Sequence, residues 1–260
     1  MTPFHAFYTA TELRKHTWGA DRLLPALVSA NIEVYPFQIA AAMFALRSPF
    51  LKGTILADEG SLGKTYEALL VISQMWYEGK EKILLVVPTP LLRQWQGILD
   101  DNFSIPYVTL DGDTADFDVP DAIVLTTYDY ATANLEAIGS VVWDIAVFDE
   151  AHRLSKCYEQ DNRAAKLKAA VKDAYKLLLT ASPMRNSIMD LYGLIYFIDE
   201  NAFEEPDEFY KRYFRKPENY HELSRRASYY AFRTLRTQAE SYVKVPRRLV
   251  VTSDYTPTMP

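Results

Sequence analysis

Six short aliphatic and β-branched runs recur along the middle of the chain: Gly53–Ala57, Ile83–Val87, Tyr107–Leu110, Ala122–Thr126, Ile145–Phe148 and Lys176–Leu179. Each has the length of a buried strand. Helical stretches at Lys64–Tyr77, Pro90–Asp100, Tyr128–Ala137 and Asp161–Lys172 stand between most of them. Strands separated by helices of this size connect through right-handed crossovers, which makes neighbouring strands parallel and covers both sheet faces. The pattern predicts an α/β doubly wound, mostly parallel sheet across roughly residues 30–200.

Small helical additions are expected at both ends. Residues 1–34 read as a helical extension with a basic cluster at Arg14, Lys15 and His16. Residues 201–232 read as a helical annex, packed through Phe203, Phe209, Tyr210, Tyr213, Phe214, Tyr220, Tyr229 and Tyr230. Residues 233–260 turn basic and extended, with Arg233, Arg236, Lys244, Arg247 and Arg248, before a strand-like Leu-Val-Val-Thr-Ser.

Composition excludes several classes. A single cysteine, Cys157, rules out an intramolecular disulfide framework and a cysteine-based zinc cluster. With 28 basic against 34 acidic side chains, the net charge of −6 argues against coating nucleic acid by bulk charge, and leaves room only for a local basic track. The first 20 residues hold no secretory signal, and no apolar run approaches the ~20 residues that span a bilayer. A soluble, intracellular protein without a membrane partner is the expectation.

Two constellations carry chemistry. Gly53-Thr-Ile-Leu-Ala-Asp-Glu-Gly-Ser-Leu-Gly-Lys-Thr65 runs from a buried strand through a tight turn into a helix. That is a phosphate-loop arrangement: turn N–H groups and the helix N-terminus surround phosphates, Lys64 reaches the outer oxygens, and Thr65 ligates Mg²⁺. Asp58 stands where the usual pattern has its first glycine. The second constellation follows 85 residues after Lys64, where an apolar strand delivers Asp149-Glu150-Ala151-His152 at its C-terminal end. Asp149 suits the Mg²⁺ shell and Glu150 the polarisation of an attacking water. Together they point to nucleotide hydrolysis with Lys64, Asp149 and Glu150 as the catalytic groups.

The order of these segments resembles the first RecA-like lobe of the Swi/Snf-like DNA translocases of helicase superfamily two. Tyr35-Pro36-Phe37-Gln38 resembles the family's upstream glutamine motif, and LADEGSLGKT its phosphate loop. LLVVPTPLLRQWQ (84–96), VLTTYDY (124–130), DEAHRLSK (149–156) and LLLTASPMRNSIMDLYGLIYFI (177–198) follow in the family's sequence. FRTLRTQAESYVKVPRR (232–248) resembles its basic bridge toward a second lobe.

The resemblance implies ATP and Mg²⁺ as cofactors and double-stranded DNA as partner. It implies a cradle of Asp58, Glu59, Gly60, Ser61, Leu62, Gly63, Lys64 and Thr65, adenine recognition by Gln38, and metal ligation by Thr65 and Asp149. A motor that grips phosphates without reading sequence uses hydroxyls and a few basic groups at strand ends, which nominates Thr89, Arg93, Gln94, Thr126 and Thr127 for DNA contact. Trp95 reads as core, while His152, Thr180 and Ser182 would couple nucleotide state to the DNA surface.

Two departures stand out. Gly60-Ser61 inverts the family's apolar-glycine order, so Ser61 is strained if its position needs a positive φ, and Arg185 replaces the usual glutamine. The expected domains are 1–34, a 35–200 ATP-binding lobe, the 201–232 annex and a 233–260 bridge. A second lobe is expected elsewhere in a longer protein, and a weakly active isolated lobe follows from that. The competing readings are a non-hydrolysing module that docks DNA or protein, and an RNA helicase of the same superfamily. The expected location is the cytoplasm, on the nucleoid when bound to DNA.

Overall fold

The apolar runs become strands β1 (Gly53–Leu56), β2 (Ile83–Val87), β3 (Tyr107–Leu110), β4 (Ile123–Thr127), β5 (Ile145–Phe148) and β6 (Tyr175–Leu179). A seventh, β7 (Ala231–Phe232), completes a sheet of order β3-β4-β2-β5-β6-β1-β7 in which every pairing is parallel. The computed structural model describes residues 20–47, 51–103, 105–112, 116–159 and 161–242. Arg14, Lys15, His16, Lys244, Arg247, Arg248 and the strand-like tail lie outside them.

Both faces of the sheet are covered, because successive residues of each strand project into different cores. Leu84, Val86, Ala146, Phe148 and Leu178 face one core, and Ile83, Leu85, Val87, Val147, Leu177 and Leu179 the other. The first core takes Leu167 from the helix Arg163–Ala170 and Leu191, Leu194 and Ile195 from the helix Ile188–Ile198. The second takes Ala41 and Ala45 from Pro36–Leu46, residues 68–72 of Lys64–Tyr77, and Leu92, Trp95 and Leu99 from Leu92–Asn102. This is the doubly wound α/β architecture read from the strand and helix alternation.

Four local differences have physical causes. Pro90 sits in a 3-10 turn, Thr89–Leu91, so the next helix begins at Leu92. The stretch read as one helix over Tyr128–Ala137 is two, Tyr128–Ala133 and Leu135–Gly139, because Asn134 leaves helical geometry at φ −122°, ψ 36°. The annex holds helices Pro206–Tyr213 and Tyr220–Ala227 around buried Phe209, Tyr213 and Leu223, but its end joins the sheet. There the N–H groups of Ile55 and Ala57 donate to the carbonyls of Tyr230 and Phe232, each at 2.7 Å. Finally, the chain after Phe232 is not wholly extended, since Arg236–Ala239 forms a helical turn.

Gly193 shows how closely the helix Ile188–Ile198 packs. A methyl group there would lie 1.6 Å from the carbonyl oxygen of Ser155, which ends the turn carrying His152. Gly193→Ala is expected to cost about 2 kcal/mol or more in a urea unfolding curve. A loss below about 0.5 kcal/mol would contradict that packing.

Candidate active site

Because all strands run parallel, the loops leaving β1, β2, β4, β5 and β6 emerge at one edge of the sheet. The loop after β1 leads through Gly63, at φ 90°, into the 14-residue helix that Lys64 opens. Gly63 is needed twice over: its φ is left-handed, and a Cβ would lie 2.5 Å from the Gln38 amide nitrogen. Ser61 also has a positive φ, 71°, so the inverted Gly60-Ser61 order does place a non-glycine residue in the left-handed region. Such a residue costs about 1 kcal/mol or more and persists only where neighbours hold it.

Those neighbours are identifiable. Gln38, buried, donates from Nε2 to the Leu62 carbonyl at 2.9 Å and accepts from the Tyr35 N–H at 3.0 Å. Arg236 donates from Nε and Nη2 to the Gly60 carbonyl, at 3.1 and 2.7 Å. Lys64 Nζ donates to the Asp58 carbonyl at 2.8 Å. Burial lowers the Lys64 pKa against the opposing pull of the carboxylates Glu150, Asp149 and Asp58, so the acidic pair after β5 lies within electrostatic reach of this ammonium.

Asp149 is fixed on every side. Its Oδ2 accepts from the indole N–H of buried Trp95 at 2.8 Å, and its Oδ1 from the N–H of Glu150 at 2.8 Å. Its carbonyl accepts from the Tyr128 hydroxyl at 2.9 Å. Burial, first of all, raises its pKa. Trp95 is thus core, as read, with a further task that its apolar surroundings did not reveal. Glu150 adopts φ 50°, ψ 46°, and its Oε2 lies 3.0 Å from His152 Nδ1. Thr180 is buried and accepts through its hydroxyl from the Ser182 N–H at 3.1 Å, while Ser182 itself is exposed.

The donor set fits a Mg²⁺–nucleotide. A lysine, a helix N-terminus and left-handed turn residues suit phosphates, and Asp149 with Thr65 suits the metal. Among the described residues no group of three or more His, Cys, Asp or Glu could hold a metal alone. Mg²⁺ needs no such cage when phosphate oxygens complete its shell.

The five residues nominated for DNA contact divide. Thr89, in the 3-10 turn after β2, and Arg93 and Gln94, in the first turn of the helix that follows, are exposed. Thr126 is fully buried and its hydroxyl donates to the Leu110 carbonyl at 2.6 Å, which leaves that hydroxyl's hydrogen unavailable to a phosphate. Thr127 is also buried, and its hydroxyl caps the next helix by accepting from the Tyr130 N–H at 3.2 Å. Both hydroxyls serve the sheet edge. Arg185 is exposed, and nothing in the structure accounts for its side chain.

The chain is similar to known proteins over most of its length. The family model of the SNF2-related domain matches residues 37–250. The chain is 32% identical over 169 residues to the uncharacterised ATP-dependent helicase YqhH of Bacillus subtilis (strain 168), covering 62% of this chain and 29% of that protein. It is 32% identical over 201 residues to the RNA polymerase-associated protein RapA of Sodalis glossinidius (strain morsitans), covering 70% of this chain and 20% of that one. The Sulfolobus solfataricus SWI2/SNF2 ATPase core in complex with dsDNA superposes with a TM-score of 0.71 at 22% identity, over 80% of this chain and 46% of the other. That last likeness is one of fold. The chain spans less than a third of the length of the curated relatives it matches.

One buried group escaped the sequence reading. Glu67, on the first turn of the phosphate-loop helix, is fully buried beside Asp58. As two carboxylates they would leave Asp58 Oδ2 and both Glu67 oxygens without a donor. Burial, and then the Asp58 charge, raise the Glu67 pKa far above its ordinary 4.5, so Glu67 keeps its proton and donates to Asp58. The unfolded chain releases that proton near 4.5, so the wild-type fold loses stability as pH rises above this value. Glu67→Gln retains a donor that does not titrate. Its stability relative to wild type is expected to improve by more than about 1 kcal/mol between about pH 5 and about pH 8 in paired denaturation curves. A pH-independent difference, or one that falls with pH, would contradict the shared proton.

Proposed function

The chain belongs to the SNF2-related domain family, and from that footing we propose that it is the ATP-binding lobe of a motor coupling ATP hydrolysis to movement along duplex DNA. The observation that carries the proposal is that the parallel sheet brings Lys64, after β1, to the same edge as Asp149 and Glu150, after β5, within their electrostatic reach. Bound Mg²⁺–ATP supplies the reacting phosphoryl group and the charge that Lys64 and the loop N–H groups neutralise. Thr65 and Asp149 hold the metal, and Trp95 fixes the Asp149 carboxylate in one orientation. Glu150 orients a water and accepts its proton, with its carboxylate steadied by His152. Gln38, which anchors Leu62, would read the adenine.

DNA is held at the exposed Thr89, Arg93 and Gln94, through phosphates rather than base edges. His152, Thr180 and Ser182, on the loops after β5 and β6, relay the nucleotide's state toward that surface. A second lobe in the working protein completes the cleft and the transition-state charge stabilisation; the match to only 46% of a solved ATPase core supports this. The motor works in the cytoplasm. Among the described residues no helix is long and apolar enough to cross a membrane.

Mg²⁺–ADP titrated into this chain is expected to bind, and Lys64→Ala to weaken that binding at least about ten-fold. In the protein carrying both lobes, duplex DNA should stimulate ATP hydrolysis, and Glu150→Gln should lower turnover about 100-fold while nucleotide still binds. No binding at millimolar nucleotide would favour the docking-module reading, to which the strained Ser61 lends weight. Stimulation by RNA but not by duplex DNA would favour the RNA helicase.

A further inference from the structure

The outer turn of the phosphate loop is held by a segment that enters it from almost the far end of the described chain. The Thr234 N–H donates to Asp58 Oδ1 at 2.6 Å, and the Glu59 N–H donates to the Thr234 carbonyl at 3.2 Å. The Arg236 N–H donates to Glu59 Oε2 at 2.9 Å, and the Arg236 guanidinium spends two donors on the Gly60 carbonyl. A separate apolar contact accompanies these polar ones. Ala239, fully buried, packs in one cluster with Leu62 of the loop and Phe37 of the upstream motif.

A trans peptide unit sets its C=O and N–H antiparallel. Where Arg236 holds the Gly60 carbonyl, the Ser61 N–H therefore points away from Arg236. Where Gln38 holds the Leu62 carbonyl, the Gly63 N–H does the same. Two holds, on alternate peptide units, thus fix which way the Ser61 and Gly63 donors face. They also explain how Ser61 stays at φ 71° although the residue is exposed.

We propose that Arg236 is a positioning residue for the phosphate loop, so that docking of the segment 230–239 sets how tightly the loop holds a nucleotide's phosphates. This rests on the reading of residues 58–65 as a nucleotide cradle. It adds a regulatory consequence: whatever displaces β7 and the turn after it loosens nucleotide binding from outside the cleft. Arg236 touches no reacting atom; it acts through the Gly60 carbonyl.

The test is titration of Mg²⁺–ADP into wild type, Arg236→Ala and Arg236→Lys, with melting curves taken in the absence and presence of ADP. Arg236→Ala is expected to bind ADP about ten-fold more weakly, and to lose most of the ADP-induced rise in melting temperature, while the nucleotide-free melting temperature stays within about 3 °C. Arg236→Lys, which keeps a charged donor for the Gly60 carbonyl, should recover most of the affinity. Wild-type affinity in Arg236→Ala would overturn the proposal, as would an affinity in Arg236→Lys no better than in Arg236→Ala. If Arg236→Ala does not fold, Arg236→Met, which fills the same space without a donor, takes its place: binding about ten-fold weaker than wild type supports the proposal, and unaltered binding overturns it. Wild type that binds no ADP sinks the nucleotide-cradle reading instead, which is a distinct outcome.

Discussion

Asp58 carries a carboxylate into the interior just where β1 ends, and three parts of the molecule are tied to that one residue. Its Oδ1 receives the Thr234 N–H, its carbonyl receives the Lys64 ammonium, and Glu67 stands against the remaining oxygen. A buried, half-paired carboxylate is costly, and the cost falls as each donor is supplied. The strand end, the start of the phosphate-loop helix and the sheet's last strand are thereby obliged to assemble together. A glycine in this place would free the loop from that obligation. Asp58 makes the loop part of the tertiary structure rather than a flexible appendage.

The catalytic edge follows from the same economy of placement. Parallel strands deliver all their C-terminal loops to one side, so a lysine after β1 and an acidic pair after β5 share one edge without long insertions. Groups from other elements then hold this edge: Trp95 from the helix after β2 holds Asp149, and Gln38 from the helix before β1 holds Leu62. The left-handed residues Ser61, Gly63 and Glu150 all belong to this edge. Strain collected at the site is sustained by packing and hydrogen bonds elsewhere.

Much of this was legible in the sequence, for reasons that also mark the limits. Buried parallel strands are continuous apolar runs, so β1 to β6 stand out, and the helix Lys64–Tyr77 is bounded by its own glycine and aromatic face. β7 is two residues long and owes its existence to pairing with β1, which no local pattern encodes. Thr126 and Thr127 look like surface hydroxyls at a strand end, yet the parallel neighbour β3 and the following helix consume them. Arg236 reads as one basic residue among several, and Glu67 as an ordinary polar position of a helix. Their roles arise from contacts across about 177 and 9 residues of sequence, respectively, and depend on burial that only the assembled fold creates.

If the segment 230–239 positions the phosphate loop, the two respond to a bound nucleotide as one unit. Amide hydrogen exchange with and without Mg²⁺–ADP tests it directly, because exchange reports local opening residue by residue. The prediction is that added ADP slows exchange in residues 58–65 and, in step with them, in residues 230–239. Protection confined to the loop, with the distant segment unchanged, would contradict the account.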